Sequence, residues 1–182
     1  MAIPVPRMTV EEYLAADAIS ETPLEFHDGE VFSAFDGSPA HAGLAAQVCI
    51  AVGYRLRGTP CSTYTALQVR VSPVQYAYSD VAVVCGGLIQ TSEKDASVSN
   101  PKVIFEILSP TTQDYDYGGK FLLYRRLPSI QEYVLVSRDQ PRVEVYRRVP
   151  EEKWMLSTYE GIDGTLILES LDLRIPLNEL YA

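Results

Sequence analysis

Apolar positions recur along this chain with two different periods, and the switches between them predict the order of elements. Thr9-Val10-Glu11-Glu12 has capping-box spacing and predicts a short helix from Val10 to Ala18. Leu24 to His27 and Glu30 to Ser33 flank Asp28-Gly29, the strongest short hairpin signal. A two-residue loop pairs His27 with Glu30 and Glu25 with Phe32. Glu25, His27 and Glu30 then share one face, with His27 and Glu30 read as a surface pair, while Leu24, Phe26 and Val31 share the other. Ser38-Pro39 reads as an N-cap and first-turn proline, opening a helix that runs to about Arg57 and stops at Gly58, with His41, Leu44, Ala45, Val48 and Val52 on one stripe.

The middle of the chain changes to strand spacing. Cys61 to Val71 alternates as a half-buried strand, whereas the runs at 78–85 and 102–109 are apolar enough to lie centrally in a sheet. A polar turn then leads into a helix containing Lys120 to Tyr124, and Gln131 to Ser137 is strand-like again. The unit from Val103 to Val136 therefore reads as βαβ with parallel strands. Arg142–Arg147, Trp154–Tyr159 and Thr165–Leu168 read as an antiparallel meander. With no internal repeat or linker, residues 1–182 are expected to form one α/β domain: a mixed β-sheet flanked by helices, with a C-terminal antiparallel meander.

Two of the apolar runs carry an acid. In Val103–Ser109 the alternation puts Ile104, Glu106 and Leu108 on one face, and a buried carboxylate there costs several kcal/mol unless it is compensated. Asp80 sits in the run Tyr78–Cys85 and can lie beside Glu106 on a neighbouring strand. Two such carboxylates repel unless a cation lies between them, and Mg²⁺, which takes hard oxygen ligands, suits the pair. With Lys120 near enough to orient a water, the three residues suggest a metal-assisted hydrolytic site. Each also has a structural reading: an ion-paired strand-end Glu, a strand-start Asp, a solvated helix Lys. His41 reads as a half-buried helix histidine bonded to a backbone carbonyl, or as a substrate-positioning group near the hairpin carboxylates.

Composition narrows the field. The net charge is −9 over 182 residues, which opposes non-specific binding to phosphate backbones unless basic residues form a local groove, with Arg55, Arg57, Arg70, Arg125 and Arg126 as candidates. No apolar run reaches the ~18 residues of a membrane span, and Met1 to Arg7 lacks a signal-peptide layout. Cys49, Cys61 and Cys85, odd in number and far apart, are expected to be three reduced, buried thiols of a cytoplasmic protein.

Several segments together resemble one family. Leu24-Glu25-Phe26-His27-Asp28-Gly29-Glu30-Val31, Ser38-Pro39-Ala40-His41, Ser79-Asp80-Val81-Ala82-Val83-Val84, Phe105-Glu106-Ile107-Leu108-Ser109-Pro110-Thr111-Thr112, Asp116 with Lys120 and Tyr124, and Glu132-Tyr133 with Val136 are similar to the successive motifs of the Uma-two family. Those proteins are restriction-endonuclease-like members of the PD-(D/E)XK superfamily. The resemblance implies Asp80 and Glu106 as metal ligands, Lys120 as catalytic lysine and Glu25 as a further acidic wall, with Mg²⁺ (or Mn²⁺) as cofactor and DNA as substrate; cutting both strands of a duplex would suit a homodimer, with the apolar meander as its interface. The superfamily pattern places its lysine at position 108, where this chain has Leu108; here Lys120 takes that part from the following helix. Ser79 stands where the pattern has proline, and Gly118-Gly119, costing roughly 1 kcal/mol each relative to Ala, is expected to loosen the placement of Lys120. Two other readings remain: a catalytically silent interaction or DNA-associated module on the same fold, and a small-molecule hydrolase using Glu25, His41 and Glu106 as acid and base groups.

Overall fold

A computed structural model of the chain describes residues 7–33, 36–92, 95–110 and 112–181; Thr111 and most of the Met1–Arg7 stretch lie outside the described residues. Helix α1 (Val10–Asp17) starts as the spacing requires: the Thr9 side chain accepts from the Glu12 N–H while Glu12 accepts from the Thr9 N–H. Strands β1 (Glu25–His27) and β2 (Glu30–Phe32) form the hairpin in the expected register, with His27 opposite Glu30 and Glu25 opposite Phe32. Asp28 and Gly29 both have positive φ, the conformation a tight hairpin turn demands. Helix α2 (Pro39–Arg55) is capped by the Ser38 hydroxyl, and buries His41, Leu44, Val48, Ala51 and Val52.

Strands β3 (Cys61–Ser72), β4 (Gln75–Cys85), β5 (Gln90–Ser92), β6 (Asp95–Val98) and β7 (Pro101–Leu108) follow. Then comes a single helical segment in three parts: α3 (Gln113–Tyr115), a π-helical turn over Asp116–Lys120, and α4 (Phe121–Tyr124). It leads to β8 (Glu132–Ser137), β9 (Arg142–Val149), β10 (Lys153–Glu160), β11 (Thr165–Leu168) and β12 (Leu173–Pro176). Among the described residues ten strands form one mixed sheet with the path β10-β9-β8-β7-β4-β3-β6-β5, to which β1 adds through β4 and β2 through β1. Strands β7 and β8 are parallel, so the βαβ reading holds. The meander differs in its last member: β9 and β10 extend the main sheet, but β11 leaves it and pairs with β12. Leu166, Leu168 and Ile175 are fully buried, and this small sheet closes over the core instead of prolonging an exposed edge.

The sheet is covered on both faces. Val81, Val83, Val103, Phe105, Ile107, Val134 and Val136 pack with α2 and the β11–β12 pair on one side. Ala82, Ile104, Leu108, Tyr133 and Leu135 pack with Tyr124, Leu127 and Ile130 on the other. This double coverage is why the central strands read as continuous apolar runs.

The cysteines correct the reduced-thiol expectation. The β3–β4 register sets Cys61 directly opposite Cys85, and they form a disulfide across 24 residues of sequence; Cys49 is free and half-buried. Long sequence separation concealed a contact that antiparallel pairing makes immediate.

Candidate active site

Strand β7 points Ile104, Glu106 and Leu108 at the face covered by the helical segment, and Glu106 is 1% exposed. The register of β4 against β7 ends at Val81–Phe105; one step further it sets Asp80 beside Glu106 on the same face. On the other side of β4, the pairing with β3 skips Ala66, whose φ is +48°. A non-glycine residue in that conformation costs on the order of 1–2 kcal/mol. Both neighbours of β4 therefore part from it at Asp80. The Asp80 carboxylate fills the gap in the ladder, accepting from the Ile107 N–H at 2.7 Å and bonding His41 Nε2 at 3.1 Å through the same oxygen.

Lys120 comes to this face from the π-helical turn and is 4% exposed. Its ammonium donates to Glu106 Oε2 at 3.0 Å and lies 3.4 Å from Glu25 Oε1 and 3.8 Å from Asp116 Oδ1. Glu25, at the start of β1, is fixed by the Tyr78 N–H at 3.1 Å and the Tyr115 hydroxyl at 2.7 Å. Asp116 accepts from the Thr112 hydroxyl at 2.8 Å. Glu106 Oε1 is buried with no hydrogen-bond partner among the described residues, as is the Tyr124 hydroxyl.

Four carboxylates thus share this region with one lysine and one histidine. Burial, followed by the Asp80 and Asp116 charges, holds the Glu106 carboxyl well above the usual range against the pull of Lys120. Burial also pushes Asp116 up, to about 6. For Lys120 burial opposes the charge, but Glu106 and Glu25 outweigh it and keep the ammonium protonated well beyond its ordinary range. For His41 burial likewise opposes the charge, and the Asp80 hydrogen bond and charge raise its pKa overall.

The structure brings Glu25, Glu106 and Lys120 into direct contact, and Asp80 joins them with His41 bound to it. His41 bonds a carboxylate rather than a backbone carbonyl, because its place in the first turn of α2 points the ring at the gap where β4 is released. His27 is not a surface pair with Glu30: it is half-buried and its Nε2 lies 3.1 Å from the Tyr115 hydroxyl. Two participants, Asp116 and Tyr115, were not among the predicted site residues. Asp116 lies four residues before Lys120, a helical spacing that would have flagged the pair. Gly119 is the signal for Tyr115: a Cβ there would meet the Tyr115 ring at 2.6 Å, so the glycine admits the ring against the turn.

The donor set suits a hard cation. Asp80 and Glu106 offer oxygen ligands, Glu106 Oε1 is a buried acceptor without a partner, and Mg²⁺ commonly takes one or two carboxylates and keeps its waters. Among the described residues no three His, Cys, Asp or Glu side chains converge as a metal cage, so waters or substrate would complete the sphere. A cavity of about 340 Å³ opens over Asp80, Glu25, His41 and Lys120.

Comparison with known proteins shows what the chain resembles in sequence and fold. The model of the Uma2 family, described as "Putative restriction endonuclease", matches residues 10–178. Protein slr1290 of Synechocystis sp. is 29% identical over 180 residues, which are 98% of this chain and 93% of that protein. Protein sll1609 of the same organism is 27% identical over 156 residues, 85% of this chain and 88% of that one. The crystal structure of "a putative nuclease belonging to DUF820" from Anabaena variabilis superimposes with a TM-score of 0.77, covering 96% of this chain and 97% of that one; at 17% identity the likeness is one of fold.

Proposed function

Because this chain belongs to the Uma2 family of restriction-endonuclease-like proteins, we propose that it is a Mg²⁺-dependent endonuclease hydrolysing phosphodiester bonds of DNA. The observation that carries the reading is the Lys120 ammonium, buried 3.0 Å from Glu106 on the sheet face where Asp80 interrupts the ladder. Asp80 and Glu106 would hold the ion, Mg²⁺ or Mn²⁺, which when bound acidifies its water and stabilises developing oxyanions. Lys120, locked by Glu25 and Asp116, keeps a full positive charge where negative charge builds on the phosphate, and donates a hydrogen bond that orients the attacking water. His41 and the Ile107 N–H fix the Asp80 carboxylate, so that the acid does not need to reorganise during reaction. Cutting both strands of a duplex would suit a homodimer.

A catalytically silent module on the same fold is the second reading, favoured by one fact: the Glu106 and Glu25 carboxylates already satisfy Lys120. Calorimetric titration of Mg²⁺ or Mn²⁺ separates the two. The nuclease reading expects a site that Asp80→Ala or Glu106→Ala removes, with plasmid cleavage that needs metal and disappears in Lys120→Ala. No metal binding at millimolar concentration would sink it, and activity persisting in EDTA would point to a metal-free hydrolase.

A further inference from the structure

Among the described residues four side-chain nitrogen or oxygen atoms are buried without a hydrogen-bond partner: Glu106 Oε1, the Tyr124 hydroxyl, Ser129 Oγ and Arg142 Nε. Ser129 and Arg142 are only half-buried, so a small side-chain rotation brings either atom to water. Glu106 and Tyr124 are 1% and 0% exposed and have no such route. An enclosed donor or acceptor left unmet costs free energy, and folded proteins pair or hydrate nearly all of them.

The Glu106 and Tyr124 atoms are complementary in kind. Burial, followed by the Glu106 charge, holds the Tyr124 hydroxyl protonated well beyond its ordinary range, so it is a donor. Glu106 uses Oε2 for Lys120 and leaves the lone pairs of Oε1 open. The two residues also share a wall. Tyr124 stands four residues after Lys120, one helical turn on, so both side chains leave the helical segment on the same face. Tyr124 packs in one cluster with Ile104 and Leu108, which flank Glu106 on its side of β7. Its ring is held there by Tyr133, with 5.8 Å between ring centres, and the hydroxyl has little freedom to seek another partner. Tyr133 spends its own hydroxyl on the Asp116 carbonyl at 2.9 Å.

We propose that Tyr124 is a positioning residue of this site: its hydroxyl donates to Glu106 Oε1 and, with Lys120 on Oε2, fixes the plane of the carboxylate for cation binding. The bond needs either a rotation of the Glu106 carboxyl or one enclosed water between the two atoms. One lone pair of Oε1 goes to the hydroxyl and the other stays open to the ion. The inference rests on the metal-dependent reading of the site for its purpose. Partners that orient a ligating side chain in this way commonly contribute about ten- to a hundredfold to metal affinity.

Tyr124→Phe removes the oxygen and keeps the ring. By calorimetry we expect Mn²⁺ to bind the variant about tenfold or more weakly than the native protein. DNA cleavage should need a correspondingly higher Mg²⁺ concentration for its half-maximal rate and recover at saturating metal. Urea unfolding in EDTA should show a lower midpoint, because a bonded hydroxyl is lost; removing an unmet one would leave the midpoint unchanged or raise it. Tyr133→Phe loses a buried hydroxyl bond from the same cluster but none to Glu106, and should lower the midpoint without altering Mn²⁺ affinity. Native Mn²⁺ affinity in Tyr124→Phe, an unchanged or raised midpoint, or equal weakening in Tyr133→Phe would each overturn the proposal while leaving the nuclease reading intact. No Mn²⁺ binding by the native protein would overturn both.

Discussion

Replacing Lys120 by Met tests the electrostatic logic of the site directly, because Met keeps the apolar stem and removes the charge. In the native protein the ammonium faces Glu106, Glu25 and Asp116 at 3.0, 3.4 and 3.8 Å, all of them buried. Removing one partner from a buried ion pair strands the other charge and costs about 3–5 kcal/mol. The stranded carboxyl has a way out, which is to take up a proton. From an ordinary value of 4.5 that costs roughly 3 kcal/mol at pH 7, at about 1.4 kcal/mol per pH unit. The expected loss at pH 7 is therefore about 3 kcal/mol. The sign with pH follows: losing Lys120 lifts the folded-state carboxyl pKa further above the already raised native one, so the variant's deficit is smallest while the native carboxyl is protonated and grows as pH rises through the native folded-state value. Urea unfolding at pH 5 and pH 7 should show the deficit shrinking on acidification. Adding Glu106→Gln should recover part of it, through a coupling of about 1–3 kcal/mol. A deficit below about 0.5 kcal/mol at pH 7, or one that does not change with pH, would refute the idea that Lys120 compensates buried carboxylates.

The two adjacent glycines should respond oppositely. Gly118 has nothing within 4 Å of a Cβ, so Gly118→Ala should stabilise the helical segment by about 0.4–1 kcal/mol; Gly119→Ala, meeting the Tyr115 ring at 2.6 Å, should destabilise it and disturb Glu25, both read by chemical denaturation. Burial pushes Tyr76, Tyr117 and Tyr181 up to about 12 from an ordinary 10. Their contribution to stability is fully present below about pH 10 and lost as pH climbs toward 12, so tyrosinate absorbance and circular dichroism should change together in that window. Reducing the Cys61–Cys85 disulfide opens a loop of 24 residues and should lower stability by about 3 kcal/mol, measured as the shift in urea midpoint with and without dithiothreitol.

Much of the scaffold was legible because it depends on neighbours in sequence. The Thr9 capping box, the Asp28-Gly29 hairpin with its register and the Ser38-Pro39 helix start are all local devices, and each stands where its residues place it. The alternation in Val103–Ser109 likewise put Glu106 on the correct face, since a strand's period is two whatever it packs against. What failed locally failed for a reason. The run Thr165–Leu168 has the pattern of a sheet strand, yet no local rule states which strand it pairs with, and it joined β12.

By itself the sequence determined that an acid would sit inside a buried strand, that a second would sit on a neighbouring strand, and that a lysine would follow on a helix. Only the tertiary structure decided how those charges are balanced. Release of β4 at Asp80 turned its carboxylate toward the Ile107 N–H and His41, the β1 hairpin carried Glu25 across from far upstream, and Gly119 let Tyr115 close on Glu25. Of the arginines that sequence offered for a phosphate groove, Arg55 and Arg70 were taken by acids remote in the chain, Glu179 and Asp95. Charge pairing acts over a few ångströms of space and not along the chain, so which cation meets which anion is settled when the sheet brings them together.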